Sequence, residues 1–282
     1  MIQLFILGMG YSAEFIRDAA RARGLRVTGT GRAGDIAFED EAAVRAALAR
    51  ATHVLSSVLP VEGADPVLAR YGDALGDRWL GYLSSTGVYG DTGGAWVDES
   101  APTVLAGGGR RTARAEADAA WLARGARVFR LPGIYGPRSG GHAGRSALDR
   151  VREGRAHRID LPGQVFSRIH VEDIATGVLA GFDARHGAYN LADDVPCGQN
   201  AVVEEACRLL RLAPPPMQSL AEAGLSPQAR AFYSENRRVS NGKARRVLGW
   251  RPRYADYRAG LAACLAAKRV TGGPAPSAHR GP

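Results

Sequence analysis

The chain begins with a short apolar segment, residues 2–7, that leads directly into Gly8-Met9-Gly10-Tyr11-Ser12-Ala13. A strand that ends in glycines and opens a helix is typical of the phosphate-binding turn of a dinucleotide fold. Gly8 permits the tight turn, and Gly10 lets the backbone approach a pyrophosphate. The small side chain of Ala13 lets the helix lie close to the strand. An ordinary strand-to-helix turn can carry the same residues, so the flanking sequence has to decide between the two.

The flanking sequence favours the dinucleotide turn. Residues 13–23 predict a helix that Gly24 ends, and residues 25–30 predict a second strand. A strand, helix and strand within ~30 residues is the unit in which this turn occurs. We therefore predict that four residues of the turn bind a cofactor: Gly8, Gly10, Tyr11 and Ser12.

The residue type after the second strand bears on which dinucleotide binds. Enzymes that prefer NAD place an Asp or Glu there for the ribose 2′-hydroxyl, whereas this chain has Thr30-Gly31-Arg32 and no carboxylate before Asp35. Arg32 is predicted to contact a 2′-phosphate, which favours NADP over NAD. The alternative is that Arg32 is a solvated surface arginine.

Composition excludes several other classes of protein. A chain of 282 residues with 45% hydrophobic residues can form one large α/β domain, or a nucleotide domain with a smaller appendage. The net charge of +9 comes from basic residues scattered along the chain without an aromatic-rich motif, so we expect no nucleic-acid partner. Three widely spaced cysteines, Cys197, Cys207 and Cys264, fit neither a disulfide framework nor a metal site.

The N-terminal apolar segment is too short for a membrane span and lacks the basic flank of a signal peptide. We expect a cytoplasmic protein with no membrane contact, a small-molecule substrate, and a monomeric or homodimeric state.

Strands and helices alternate through the first half of the chain, which predicts a doubly wound parallel sheet, a Rossmann fold, with ligands at the carboxyl ends of the strands. The predicted strands are 2–7, 25–30, 53–58, 79–84 and 127–131, and the predicted helices are 13–23, 41–50, 65–75 and 112–124. The loops after the strands hold the candidate ligand-binding residues, among them Ser56, Ser84 and the segment 132–137.

The second half is less regular and predicts a small substrate-binding lobe. Its predicted helices are 146–153, 173–182, 202–212 and 243–248, and its predicted strands are 166–170 and 188–192. We expect residues 1–136 to form an NADP-binding domain to which residues 166–192 return, and residues 137–268 to form mainly the lobe. Residues 269–282 are predicted to be a disordered tail.

Six ordered motifs resemble the extended short-chain dehydrogenase/reductase superfamily, which includes nucleotide-sugar epimerases and dehydratases. They are the glycine turn, Ser84-Ser85-Thr86-Gly87-Val88-Tyr89-Gly90-Asp91, Phe129-Arg130 with Tyr135-Gly136-Pro137, Arg168-Ile169-His170-Val171-Glu172-Asp173, Tyr189-Asn190-Leu191, and Leu248-Gly249-Trp250-Arg251-Pro252. The resemblance implies an NAD(P)-dependent oxidoreductase or epimerase.

The resemblance also suggests roles for individual residues. Ser85, four positions before Tyr89, corresponds to the family serine that bonds the substrate oxygen; a serine that only caps a strand-end turn is the alternative. Ser56 corresponds to the adenine side, Ser84 is expected at the cofactor, and Pro132 and Ile134 correspond to the segment beside nicotinamide.

The superfamily's Tyr-x-x-x-Lys motif is absent, because no Tyr or Lys lies between Gly90 and Ile134. If Glu116 keeps its helix position, Gly108 and Thr112 occupy the Tyr and Lys sites; a shift by two residues puts Arg110 and Arg114 there. Arginine keeps the positive charge but cannot relay a proton. Arg111 is a candidate for the polar clamp, and the proton donor stays unassigned among Tyr89, Tyr135 and His142.

The substrate side departs from the family pattern as well. Phe166 stands where nucleotide-sugar enzymes often carry a phosphate-binding arginine, with Arg168 on the same face of the predicted strand. Arg237 and Arg238 are either anion ligands or a solvated basic surface. Asp65 is the candidate for the position at which atypical members carry Asp in place of the active-site Asn.

These observations predict an atypical NADP-binding oxidoreductase or epimerase that acts on a small, sugar-like or phosphorylated substrate. The alternative is a non-catalytic NADP-binding sensor or interaction protein.

Overall fold

The computed structural model describes residues 1–61, 63–104, 109–138 and 144–271, without the side chains of residues 109–111, 228, 229, 231 and 268–271. No helix of these ranges is both long enough and apolar enough to cross a membrane.

A six-stranded parallel sheet forms the centre of the protein, and its strand order is β10-β6-β4-β3-β1-β2. Its strands are β1 (Gln3–Leu7), β2 (Arg26–Gly29), β3 (His53–Ser56), β4 (Trp79–Ser85), β6 (Arg127–Leu131) and β10 (Gly187–Asn190). This confirms the predicted doubly wound parallel fold. The strand order reverses between β1 and β3, and such a reversal opens a crevice at the carboxyl edge of the sheet.

The described helices cover the two faces of the sheet or pack beside it. They are α1 (Tyr11–Ala22), α2 (Glu41–Arg50), α3 (Pro66–Tyr71), α4 (Gly109–Ala123), α5 (Ala147–Arg152), α6 (Val171–Ala180), α7 (Gln199–Leu210), α8 (Pro227–Phe232), α9 (Gly242–Val247) and α10 (Tyr257–Thr271). Residues of β1 alternate between two cores: Leu4 and Ile6 pack with α1 and α6, whereas Phe5 and Leu7 pack with α2, α3 and α4. The alternation follows from the two-residue period of a strand and explains why β1 is apolar throughout.

The second half adds three two-stranded pairs, β7 (Gly133–Tyr135) with β9 (Arg168–His170), β5 (Trp96–Val97) with β12 (Arg238–Val239), and β8 (Arg158–Ile159) with β11 (Met217–Gln218). A separate apolar cluster joins α5, α7 and α10 through side chains such as Leu148, Val202 and Leu261.

Two sequence predictions about elements need correction, and one helix is an addition to them. Residues 269–271 belong to α10 and are helical, so the predicted tail begins too early; its remainder, 272–282, lies outside the described residues. Strand β9 begins at Arg168, because Phe166 pairs with Cys197 in an isolated antiparallel bridge instead. Helix α10 itself was not predicted, since Tyr257 follows a Pro- and Arg-rich stretch that gives no helix-start signal.

Candidate functional site

The glycine turn joins β1 to α1 at the carboxyl edge of the sheet. Gly8 has a φ of +91°, and a Cβ there would lie 3.0 Å from Val58 Cγ2, so both conformation and space require glycine. The Gly8 amide donates to Thr30 Oγ1 at 3.0 Å, and the Met9 amide donates to the Thr30 carbonyl at 2.6 Å. The end of β2 therefore holds the turn in place.

Gly10 is the N-cap of α1 and differs from Gly8 in having free space around it. A Cβ added to Gly10 would meet no described atom within 4 Å, and no side chain caps the helix. The first amides of α1 point into this space, where the helix dipole favours an anion. The open space is compatible with the pyrophosphate of a dinucleotide, whose binding at Gly10 stays a prediction. Ser12 is half-buried in the first turn of α1.

Tyr11 connects the turn to the loop after β7. Its hydroxyl donates to the Pro137 carbonyl at 2.8 Å, and the guanidinium of Arg145 lies 4.9 Å from its ring centroid. Burial raises the pKa of Tyr11 above its usual range. The Tyr11 side chain therefore fixes two loops relative to each other and is not an acid near neutral pH.

The loop after β2 places Arg32 in solvent. Arg32 is exposed and forms no ion pair with a described residue. Asp35 turns back and accepts a hydrogen bond from the Gly29 amide at 3.0 Å, so the first carboxylate after β2 stabilises the loop. The contact between Asp35 and the end of β2 could not be predicted from the sequence, because the bridge between Thr30 and Ile36 that folds the loop has no sequence signature.

The predicted serines at the carboxyl edge have different environments. Ser56 is fully buried at the end of β3, and its hydroxyl has no hydrogen-bond partner among the described residues. Ser84 is also buried, but its hydroxyl donates to Asp118 Oδ2 at 2.6 Å. Ser85 is half-buried, and its Oγ accepts from the Gly87 amide at 3.1 Å as the cap of a short 3₁₀ helix. The hydroxyl hydrogen of Ser85 remains available for donation, whereas that of Ser84 is used in the buried hydrogen bond to Asp118.

Helix α4 carries the position at which the catalytic Tyr and Lys of the superfamily would stand. Its buried carboxylate is Asp118, 1% exposed, whereas Glu116 is exposed. Arg130 on β6 binds Asp118 with two hydrogen bonds, Nε to Oδ2 at 3.0 Å and Nη2 to Oδ1 at 2.7 Å. Asp118 and not Glu116 thus occupies the inward helix position, which favours the register with Arg110 and Arg114 at the Tyr and Lys sites. The side chain of Arg111 lies outside the described residues, as does His142, so both predictions stay predictions.

Tyr89, one of the candidate proton donors, is engaged by the same buried ion pair. Arg130 Nη1 donates to the Tyr89 hydroxyl at 3.0 Å, and that hydroxyl donates to Asn190 Oδ1 at 2.8 Å. Burial raises the pKa of Tyr89. We call the set Ser84, Tyr89, Asp118, Arg130 and Asn190 the Arg130 network. Its signal in the sequence was the helical spacing of Ala115, Asp118 and Trp121, which places Asp118 on the apolar face of α4.

The packing around Tyr135 makes it a poor proton donor. Its hydroxyl lies 3.5 Å from the Asp256 carbonyl, and burial raises its pKa well above the usual range. A Cβ on Gly260 would lie 2.0 Å from this hydroxyl, so α10 contacts Tyr135 through bare backbone. The neighbouring Pro132, directly after β6, and Ile134, in β7, are half-buried, and their place beside a cofactor stays a prediction.

Asp65, Arg237 and Arg238 have structural partners. Asp65 caps α3, accepting from the Val67 and Leu68 amides through Oδ1, and its Oδ2 accepts from Trp121 Nε1 at 2.8 Å. Arg237 and Arg238 donate to the carbonyls of Gly90 and Gly94. All three thus connect loops and helices of the fold.

A cavity of about 970 Å³ lies between β7, α5, α7 and α10. Gly133, Ile134 and Tyr135 line it, which joins it to the carboxyl edge of the sheet, and Arg145, Arg150 and Arg168 contribute positive charge. Only Arg168 was singled out from the sequence, because arginines at 145 and 150 have no distinguishing context in so arginine-rich a chain.

Comparison with known proteins gives matches mainly at the level of structure, and no protein-family model matches the chain. A functionally unknown conserved protein from Silicibacter pomeroyi DSS is 39% identical, with a TM-score of 0.82 over 95% of this chain and 99% of that one. The UDP-glucose 4-epimerase of Thermus thermophilus, solved with NAD, is 20% identical, with a TM-score of 0.70 over 94% and 100%. The human epimerase family protein SDR39U1 (isoform 2), solved with NADPH, is 16% identical, with a TM-score of 0.71 over 92% and 98%.

One curated relative matches in sequence, a 3-diazoavenalumate denitrifying reductase from a Streptomyces species, 30% identical over 141 residues. That match spans 48% of this chain and 45% of the relative, less than half the length of either. The structural matches confirm the resemblance that the motifs indicated. The chain belongs to one family with the Silicibacter pomeroyi protein and has the fold of the extended short-chain dehydrogenase/reductase superfamily, in which the lack of Tyr-x-x-x-Lys makes it atypical.

Proposed function

We propose that the protein is a nicotinamide-cofactor-binding oxidoreductase or epimerase that prefers NADP and acts on a small molecule. The observation that carries the proposal is the open cradle at Gly10, where uncapped helix amides face free space at the point where the strand order reverses. Two structural neighbours, one solved with NAD and one with NADPH, support a nicotinamide cofactor. The curated relative's name supports reductase chemistry.

The residues of the carboxyl edge fit such a cofactor. Gly8, Gly10 and Ser12 would hold the pyrophosphate, and the orphan hydroxyl of Ser56 gains a partner when a polar ligand group lies beside it. Arg32, exposed and without an ion pair to a described residue, would meet a 2′-phosphate. The bound cofactor supplies the hydride chemistry, and the protein orients it against the substrate.

The protein's own contribution to proton transfer is limited. Ser85 can donate a hydrogen bond to a substrate oxygen while its Oγ accepts from Gly87. Arg114 at the lysine position keeps a positive charge there but holds its proton at all working pH values. We therefore expect turnover to be slow, with Ser85 and Arg111 as a polar clamp and the proton drawn from substrate or water.

The domain division is part of the proposal: residues 1–136 with 166–192 bind the cofactor, and 137–268 form mainly the substrate lobe. The apolar cluster of α5, α7 and α10, separate from the two cores of the sheet, supports it. A small-molecule substrate and a monomeric or homodimeric state stay predictions.

Calorimetric titration with NADPH and NADH tests the cofactor assignment. We expect NADPH to bind at least tenfold more tightly, and Arg32→Ala to abolish that difference, because one charge-assisted contact is worth ~1.5 to 3 kcal/mol. Arg26→Ala, at the opposite end of β2, is the matched control and should change neither affinity. Equal affinities for NADPH and NADH in the unmodified protein would remove the NADP preference, and absence of binding of both would overturn the proposal.

A non-catalytic NADP-binding protein is the second candidate, favoured by the engagement of Tyr89 and the packing of Tyr135. A screen for NADPH oxidation with carbonyl substrates separates the two functions. Cofactor binding without turnover on any substrate would favour the sensor.

A further inference from the structure

The cavity in the second half carries positive charge that the described residues neutralise only in part. Arg155 is paired with Glu153, and Asp149, the one carboxylate among the described lining residues, accepts hydrogen bonds from the Ser146 hydroxyl and amide and partly offsets the charge of Arg150. Arg145 and Arg150 form no ion pair with any described residue. Arg150 and Arg168 are near enough for the charge of Arg168 to lower the pKa of Arg150, so an anion that joins these two groups gains both attraction and relief of repulsion.

Arg168 is bonded but not neutralised. Its Nη1 donates to the carbonyls of Phe166 and Cys197, and its Nη2 donates to Gln199 Oε1 at 3.1 Å, all neutral acceptors. The neighbouring Asp193 forms no ion pair with it, and burial raises the pKa of Asp193 to about 8 against the lowering effect of the Arg168 charge, which disfavours the charged carboxylate beside Arg168. The positive charge of Arg168 therefore extends to the cavity that it lines.

No described residue forms a hydrogen bond or an ion pair with the guanidinium of Arg150. Arg150 is exposed at the cavity. Desolvation by the surrounding protein lowers the pKa of the group, as do the charges of Arg168 and Arg155, against the raising effects of Tyr233 and Asp149. An exposed guanidinium with available N–H groups is matched by a planar acceptor with two oxygens.

An aromatic surface lies beside these charges. Phe232 lines the cavity, and one face of its ring stacks on Phe166 with centroids 4.4 Å apart and planes 8° apart. Phe232 remains 48% exposed, so part of its surface is available to a ligand. Tyr233, also lining the cavity, is near enough to Arg150 and Arg168 for both charges to lower its pKa, against the raising effect of burial.

We propose that this cavity binds an aromatic carboxylic acid, with the carboxylate on the Arg150 fork next to Arg168 and the ring against Phe232. Arg150 offers one fork, which suits one carboxylate, and Phe166 with Phe232 forms an apolar surface where a diphosphate would need a further cation. The inference rests on the proposed function in that this acid would be the substrate, its reducible end toward Ile134.

Calorimetry on the full chain tests the inference without turnover. Benzoate, phenylacetate and cinnamate are titrated against their neutral amides, with and without NADPH, and inorganic phosphate and UDP-glucose serve as competing anions. We expect at least one acid to bind tenfold or more tightly than its amide. Arg150→Gln should abolish that difference, and Phe232→Ala should weaken acid and amide alike.

Arg152→Gln is the matched control, because Arg152 is an exposed residue of the same helix that does not line the cavity. It should leave all affinities unchanged. No binding of any acid, equal binding of acid and amide, or tighter Arg150-dependent binding of UDP-glucose would each overturn the inference. Acid binding that depends on Arg150 in a protein that fails to bind NADPH would sustain it while overturning the proposed function.

Discussion

Two regions along the same edge of the sheet, the turn at Gly8 and Gly10 and the Arg130 network, differ in whether their polar groups have hydrogen-bond partners within the protein. At the turn, the first amides of α1 have no capping side chain and face free space. In the Arg130 network, Tyr89, Asp118 and Arg130 are at most 4% exposed, and each is bonded to another member. The first region leaves helix amides available for a ligand, as the proposed function requires, whereas the second uses the groups nearest the expected acid–base site to hold β4, β6 and α4 together.

The largest effect that this comparison predicts is on stability, for Asp118→Asn. The change leaves the Arg130 charge buried without its partner, and breaking a buried ion pair typically costs ~3 to 5 kcal/mol. The measurement is the free energy of unfolding in urea. Glu116→Gln, an exposed residue of the same helix, should change it by less than ~0.5 kcal/mol. Equal effects of the two variants would mean that the network is not a stabilising unit.

Gly10→Val should affect binding instead of folding. Free space around Gly10 and its extended backbone accept the new side chain, but that side chain fills the cradle. We expect NADPH affinity to fall at least ~100-fold, or ~2.7 kcal/mol, with an unchanged midpoint of unfolding. Gly10→Ala should have a smaller effect. Normal NADPH binding by the valine variant would show that no phosphate lies at Gly10.

Asp193→Asn should make stability less dependent on pH. Burial raises the pKa of Asp193 to about 8, against an ordinary value near 4, so the folded state holds a proton that the unfolded state has lost. Between these two pKa values the stability of the unmodified protein falls as pH rises, and the asparagine variant lacks this contribution. The variant should gain on the order of 2 kcal/mol relative to the unmodified protein between about pH 5.5 and about pH 8.5 in denaturant titrations. Parallel stability curves would contradict the assignment.

The double change Arg110→Tyr and Arg114→Lys tests the acid–base side of the comparison. The buried position of Asp118 favours this register, in which the two residues lie about one turn apart on α4. A titrating pair there should raise NADPH-dependent reduction about tenfold or more, since general acids typically contribute more than that. The pair Gly108→Tyr and Thr112→Lys, in the alternative register, is the control. A larger rate for the control would reverse the register assignment.

Much of the fold could be predicted because each central strand is short, apolar and bounded by turn residues. Helix Glu41–Arg50 and strand Arg127–Leu131 have the predicted bounds, since a capping Asp40 and a following Pro132 mark their ends. Helix α1 starts two residues before the predicted Ala13, because Gly10 serves as N-cap although glycine gives a weak start signal.

The candidate site could be predicted only where it depends on local sequence. The glycine turn is contiguous, so its geometry follows from its own residues. The Arg130 network, the return of Asp35 to Gly29 and the cavity around Arg150 depend on contacts that no contiguous motif specifies. No local pattern specifies which of many arginines will have a carboxylate partner, because that depends on tertiary packing.

The contact between Gly260 and the Tyr135 hydroxyl has a consequence for the order of assembly. β7 lies next to the sheet edge, yet its Tyr135 is held by backbone from the last described helix. During synthesis the sheet can form from the earlier part of the chain, but the Ile134–Tyr135 segment reaches its final packing only after α10 has left the ribosome. A nascent chain halted before Gly260 would therefore hold the turn at Gly8 and Gly10 without the final packing of Ile134 and Tyr135.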